Sequence, residues 1–305
     1  MKLIDKRVLV DGTGPDNPSN FCHVVFFGDM HVDEDGYDPA VIESVIESLK
    51  TLPNAIGICV GDVFSLANQR TRKQIRAALE TSVGGETAQD LLDKMVRRRV
   101  DELTGLFDPV REKLLVFILG NHSWATQDGQ YSDQLLSKSL NVPFCEGMAA
   151  IRLTLGTKPA RKKKGDPGPQ TCRVHIVAHH GIGGGMGSTI GGDLNSLTKR
   201  ASHFDSDIFA AGHSHMLYAM PTRSRLVFGN HSRFMVHERN GWVARCGSAV
   251  RAYGENSSYA EKMAMAPATL GYVIFKVWIK RVKDPINKTD VRLPGIDGRV
   301  VVIKD

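Results

Sequence analysis

No apolar run in the 305 residues approaches the ~20 needed to cross a bilayer as a helix. The N-terminal stretch MKLIDKRVLV lacks a signal-peptide core, because Asp5 and Lys6 interrupt its apolar residues. A cytoplasmic protein without a membrane partner is therefore expected. Cysteine is sparse and odd in number: Cys22, Cys59, Cys145, Cys172 and Cys246, with no CxxC pair. That pattern excludes a disulfide framework and a zinc knuckle, and several of the five lie inside apolar runs where a small reduced core residue fits. Internal repeats, low-complexity tracts and linkers are also missing. The charge excess is modest, at +6. It biases the chain toward anionic partners, but no basic patch interleaved with aromatics marks a dedicated nucleic-acid binder. The densest basic run, Arg161-Lys162-Lys163-Lys164, is flanked by Pro and Gly and reads as a solvated loop tip.

What the chain does have is a series of short runs rich in Val, Ile and Phe, at residues 22–28, 55–61, 114–120, 174–179 and 208–212. Their apolarity is continuous rather than alternating, which predicts strands buried on both faces, as in an α/β sheet. Residues 39–52 place Val41, Ile42, Val45, Ile46 and Leu49 on one stripe at helical spacing, ending before Pro53. Residues 70–106 read as two helices broken at Gly84-Gly85, the second with an apolar face of Leu91, Leu92, Met95 and Leu103. With Arg97-Arg98-Arg99 on it, this segment, about 68–110, reads as a helical cap over the sheet edge or the site. From 216 to 305 short stretches at 216–220, 226–228, 233–237 and 242–246 predict an antiparallel meander, and 272–280 and 300–303 further strands. The economical architecture is one α/β domain, 1–305, with two packed mixed β-sheets flanked by helices.

Each of the five apolar runs ends in groups that can bind metal. The first leads into Gly28-Asp29-Met30-His31 and the second into Gly61-Asp62. The third leads into Gly120-Asn121-His122, the fourth into His179-His180-Gly181, and the fifth into Gly212-His213-Ser214-His215. Strand C-termini are where α/β sheets place their sites. A pair of divalent cations about 3.5–4 Å apart suits phosphoryl displacement, and carboxylate and imidazole donors suit Mn, Fe, Zn, Co or Ni. A shared carboxylate screens the repulsion between the two cations. In Asp29-Met30-His31, and again in His213-Ser214-His215, strand alternation would bring the outer pair together with the middle residue turned away. A Gly-Asp dipeptide or a lone His is usually a turn or a satisfied core residue; five such blocks in series are far more specific.

These blocks resemble the pattern of the calcineurin-like metallophosphoesterase superfamily: D-x-H, GD, GNH, His-Gly and GHxH, in that order from Asp29 to His215. The resemblance implies a four-layer αββα sandwich, two metals, and a metal-bridging hydroxide that attacks a phosphate ester. By position it implies Asp29, His31, Asp62 and His215 at one metal, with Asp62 bridging. Asn121, His180 and His213 complete the other, and His122 is the catalytic histidine. The fourth block holds two adjacent histidines. The family pattern selects His180, directly before Gly181, while strand alternation sends His179 to the opposite side. Ser123 stands where many members have Glu or Asp, and Asp62 is followed by Val63-Phe64-Ser65-Leu66 rather than a second polar element.

A looser likeness to phage and prophage members rests on the glycine-rich stretch after Gly181, on Gly247-Ser248, and on Ser258-Tyr259-Ala260-Glu261-Lys262. Glycines beside the site let backbone N–H groups approach an anion, or simply form a closing loop. Asp33-Glu34-Asp35-Gly36-Tyr37-Asp38 lacks calcium-loop spacing and reads as a solvated turn. Arg251, Tyr253 and Tyr259 read as structural more than substrate-lining. Ser65 and Ser123 lack the His–Asp partners of a serine hydrolase. The expected activity is metal-dependent hydrolysis of phosphate esters, diesters over monoesters, with DNA or RNA as an admitted substrate. A non-catalytic binding scaffold is the alternative of another class, and the full set of site residues argues against it.

Overall fold

The computed structural model of the chain describes residues 1–65, 77, 87–158, 170–181, 189–222, 225–228, 236–251, 253, 268–283 and 290–303. In order, the elements are β1 (Lys2–Val10), β2 (Cys22–Phe27), α1 (Pro39–Thr51), β3 (Ala55–Cys59), α2 (Ala88–Phe107), β4 (Leu114–Ile118), α3 (Ser132–Ser139), β5 (Phe144–Cys145) and β6 (Met148–Thr157). They continue with β7 (Thr171–His179), α4 (Ile190–Ala201), β8 (Ile208–Ala211), β9 (Leu217–Pro221), β10 (Arg225–Phe228), β11 (Val236–Arg239), β12 (Trp242–Cys246), β13 (Gly271–Lys283) and β14 (Asp290–Val302).

Two six-stranded sheets form, in the orders β1-β6-β7-β8-β12-β9 and β14-β13-β2-β3-β4-β5, with β10 and β11 pairing apart. Both sheets are mixed. In the first, β7, β8 and β12 run parallel while β6 and β9 pair antiparallel. In the second, β2 to β5 are parallel and β13 runs antiparallel to β2.

The pleat explains why the central strands are apolar throughout. In β2, Cys22, Val24 and Phe26 join a core between the sheets, while Val25 and Phe27 join a second core on the outer face. In β3, Ile56 and Ile58 point inward, and Ala55 and Cys59 outward. From the opposite sheet Ile151, Leu153, Val174, Ile176 and Ile208 fill the same inner core. The outer core is covered by α1 through Val41, Ile42, Val45, Ile46 and Leu49, the stripe expected from the sequence. Asp38 caps α1 by accepting from the Ala40 N–H at 2.9 Å, and Pro39 occupies its first turn.

Helix α2 begins at a capping box between Thr87 and Asp90 and joins the same outer core. Its buried face runs through Leu92, Val96, Val100, Leu103 and Phe107, leaving Leu91 and Met95 at the margins of that face, because the spacing follows i, i+4 from Leu92. Arg97, Arg98 and Arg99 are exposed. On the far side, Leu197 of α4 packs on Val177, Phe209 and Val243 of the first sheet. The layers are therefore helix, sheet, sheet, helix. All five cysteines are buried free thiols, and no helix among the described residues is long and apolar enough to cross a membrane.

Two expectations change. The stretch after residue 216 is not a simple meander: β12 pairs antiparallel with β9 but parallel with β8, and β13 crosses to the other sheet. The turn at 33–38 is more than solvated, since Asp33 accepts from the Ser65 N–H at 2.6 Å, Glu34 from the Ser65 hydroxyl at 2.6 Å, and Asp38 also pairs with Arg251 at 2.6 Å. The proposed helix before Gly84-Gly85, apart from Ala77, the basic run at 161–164, Gly183 to Ser188 and Tyr259 lie outside the described residues. Ile190, Gly191 and Gly192 open α4, with the Thr189 hydroxyl accepting from the Gly192 N–H.

Candidate metal centre

Strands β2, β3 and β4 are parallel, so their C-terminal turns meet at one end of their sheet. The turn after β2 lies over the turn after β3: Asp29 N–H donates to the Gly61 carbonyl at 2.9 Å, and the Met30 and His31 N–H groups both donate to the Asp62 carbonyl. Asp29 (φ 47°), His31 (φ 43°), Asp62 (φ 52°), His213 (φ 73°) and His215 (φ 56°) all adopt left-handed backbone. This corrects the strand-alternation argument. The strands have already ended, and a left-handed residue either side of buried Met30, and either side of buried Ser214, is what turns the outer pair the same way.

Asp29, His31 and His215 bring one donor atom each to within 4.8 Å of one another, and so do Asp62, His180 and His213. Asp62 Oδ2 faces both groups, 3.1 Å from His180 Nε2 and 3.9 Å from His31 Nε2. Asn121 Oδ1 stands 2.7 Å from both His180 Nε2 and His213 Nδ1. His215 Nε2 lies 3.2 Å from His31 Nε2 and 3.9 Å from Asp29 Oδ1. All seven residues named from the sequence thus converge. His180 is the fourth-block histidine in the cluster; the His179 ring instead accepts from the Gly181 N–H at 2.7 Å.

His122 sits at the exposed mouth. Its backbone N–H donates to Asp62 Oδ1 at 2.9 Å, and its ring packs edge-on to His31 with centroids 5.1 Å apart. Ser123 does not orient it; that hydroxyl contacts the Ser132 hydroxyl at 2.9 Å. Gly120 has no alternative, because a Cβ there would lie 1.9 Å from Asp62 Oδ1 and 2.1 Å from the Asp62 nitrogen.

The donor set fits cations. His31 is buried, yet its Nδ1 has no hydrogen-bond partner and its Nε2 faces another imidazole nitrogen. Two facing imidazole nitrogens need one proton or one cation between them. Burial, reinforced by the charge of His215, holds His31 well below the usual histidine range, and burial pushes His215 down to about 4. His213 is likewise lowered by burial and then by His180. Burial opposes protonation of His180 too, but its bond to Asp62 and the charge of Asp29 prevail and raise it to about 9. Against the cost of burial, the same His180 bond and charge hold Asp62 well below the carboxylate range. Burial lifts Asp29 to about 7, with His180 opposing and Asp62 adding to the rise. The cluster rejects protons at three imidazoles while crowding two carboxylates, a balance that divalent cations resolve.

Several supporting residues carry no sequence motif. Buried Asp133 accepts from the Gly120 N–H at 3.1 Å, and burial raises it to about 7. Ser248, in the Gly247-Ser248 pair, donates to the Asp29 carbonyl at 3.0 Å. Arg245 and Asp193 form a buried ion pair behind the Gly212 turn. Gly247-Ser248 is singled out by the sequence, and Asp133, in the first turn of a helix shortly after Gly120-Asn121-His122, is a second readable signal.

No family model and no curated protein matches the chain. Among solved structures, zinc-bound Vps29 from Entamoeba histolytica overlays on 92% of this chain and 98% of its own, at 12% identity and a TM-score of 0.36. A predicted phosphoesterase from Streptococcus pneumoniae gives the same coverage and identity at 0.33. A metallophosphoesterase from Sphaerobacter thermophilus covers 89% of this chain and 88% of its own, at 11% identity and 0.28. These overlays are loose.

Proposed function

We propose that the chain is a dinuclear metal-dependent phosphoesterase of the calcineurin-like type, acting on phosphodiesters before monoesters. The observation that carries this reading is the position of Asp62 Oδ2 between two donor groups, Asp29–His31–His215 and His180–His213 with Asn121. Asp29, His31 and His215 would hold one cation, Asn121, His180 and His213 the other, and Asp62 both. When bound, such a pair supplies Lewis acidity to the phosphoryl group and activates water at neutral pH.

The chain's own residues supply the rest. Asp62 stays ionised, and its second oxygen fixes the His122 backbone. The His122 ring is exposed at the mouth, so it can protonate a leaving alkoxide there. Diesters are put first on the breadth of that superfamily and on the chain's basic balance, a net charge of +6. Manganese is the first metal to test, and nucleic acid the first natural substrate class.

The test is hydrolysis of bis(p-nitrophenyl) phosphate and p-nitrophenyl phosphate by protein stripped of metal and reloaded with Mn, Ni, Zn or Co. Diester turnover is expected to return with metal. His122→Ala should lower kcat by about 10²–10⁴-fold with two metals retained, whereas Asp62→Ala should lose both. Two bound metals without turnover of any ester would favour a binding scaffold, and no metal uptake would refute the reading.

A further inference from the structure

Behind the metal centre lies a buried charge that none of the seven residues explains. Arg245, in β12, is 3% exposed. It grips Asp193 of α4 through Nε–Oδ2 at 2.9 Å and Nη2–Oδ1 at 2.7 Å, and Asp193 also accepts from the Tyr218 hydroxyl at 2.6 Å. The third arm of the guanidinium, Nη1, donates to the Gly212 carbonyl at 2.5 Å. The N–H of that same peptide group belongs to His213 and donates to both Asp29 oxygens, at 2.8 and 3.0 Å.

One peptide unit is therefore clamped between a guanidinium on its carbonyl and a carboxylate on its N–H. A cation on the carbonyl polarises the amide and strengthens donation from its N–H. The space is tight enough to transmit a shift: a Cβ on Gly212 would lie 2.7 Å from Asp29 Oδ2, and one on Gly181 3.0 Å from Arg245 Nη1. Asp29 belongs to one donor group and His213 to the other. A buried bidentate ion pair is weak evidence for stability in itself, since apolar replacement is often neutral. Its geometry here serves the peptide it aims at.

We infer that Arg245, held in place by Asp193, is a positioning residue for the metal centre that sets Asp29 and His213 through the Gly212–His213 peptide. This rests on the metal-centre reading above, and metal binding separates the two. The probe is Mn²⁺ alone, titrated calorimetrically into the full chain. Arg245→Met with Asp193→Leu removes both charges together, and Arg245→Lys keeps the charge but cannot hold Asp193 and Gly212 at once. Arg239→Met with Asp207→Leu removes another largely buried Arg–Asp pair, at the opposite end of β8, that touches none of the seven residues. Circular dichroism and Tm report folding.

The expected result is Mn²⁺ binding about 10–100-fold weaker in both Arg245 variants, with native circular dichroism in at least Arg245→Lys and wild-type affinity in the Arg239/Asp207 control. Wild-type affinity in a folded Arg245 variant, or an equal loss in the control, overturns the assignment of Arg245 alone. A wild-type chain that takes up no Mn²⁺ overturns the metal reading, and this inference with it.

Discussion

Metal affinity should rise steeply with pH between 7 and 9, and the cause is one imidazole. In the metal-free chain, the hydrogen bond to Asp62 and the charge of Asp29 outweigh burial and lift His180 to about 9. At pH 7 a cation must displace that proton. For one competing proton with a pKa near 9, apparent affinity climbs about tenfold per pH unit well below that pKa and levels off near it, roughly 50-fold from pH 7 to 9, which is about 2.3 kcal/mol. Below pH 7 the curve should steepen as Asp29, raised by burial to about 7, also takes a proton. Folding of the metal-free chain responds to pH in the opposite direction. A histidine raised in the folded state contributes stability fully below its unfolded pKa of ~6.5, and that contribution is lost as pH rises through about 9. Competition against a chromophoric chelator over pH 6–9 measures the slope, and calorimetry in buffers of different ionisation enthalpy counts the released proton. An apparent affinity flat from pH 7 to 9, with no proton released, would refute the argument.

Three further outcomes follow from packing. Gly120→Ala should lower stability by about 2 kcal/mol or more and abolish metal binding, because the added methyl meets the Asp62 backbone as well as its carboxylate, and the backbone cannot swing aside; chemical denaturation and metal titration check both. Ile58→Ala, at a fully buried position between the sheets, should cost about 2–5 kcal/mol by denaturation without changing metal stoichiometry. Tyr272→Phe removes a buried hydroxyl that contacts the Ser44 and Ser48 hydroxyls and donates to the Ser44 carbonyl of α1. It should cost about 1–2 kcal/mol by the same measurement.

The five apolar runs were legible because each is a central strand buried on both faces and the donors follow directly in sequence. Of the outer strands, β1 and most of β14 were not. In β1 the charged run Asp5-Lys6-Arg7 interrupts the apolar residues, and the strand lies at a sheet edge where Leu3 is exposed. Strand β14 carries Pro294, Gly295 and Gly298, which a central strand would not tolerate but an edge strand does. Helix α4 opens on Ile190-Gly191-Gly192, poor helix formers rescued by the Thr189 cap. Within the centre, donor identity was readable and aim was not, since aim comes from left-handed turns and from partners such as Arg245 and Asp193, 52 residues apart.

Those left-handed turns have a consequence for how such a chain drifts over generations. Each non-glycine residue held at positive φ costs roughly 1 kcal/mol or more, even for the Asp and His types that tolerate it best. Five residues of the candidate metal centre are so held, a combined burden of roughly 5 kcal/mol, comparable to the whole net stability of a modest domain. Replacing any one by glycine would relax the backbone and delete a donor in the same step. For this fold, losing the centre is the downhill direction and keeping it the uphill one. A sequence filtered for folding alone would shed these side chains first, and this one carries all five.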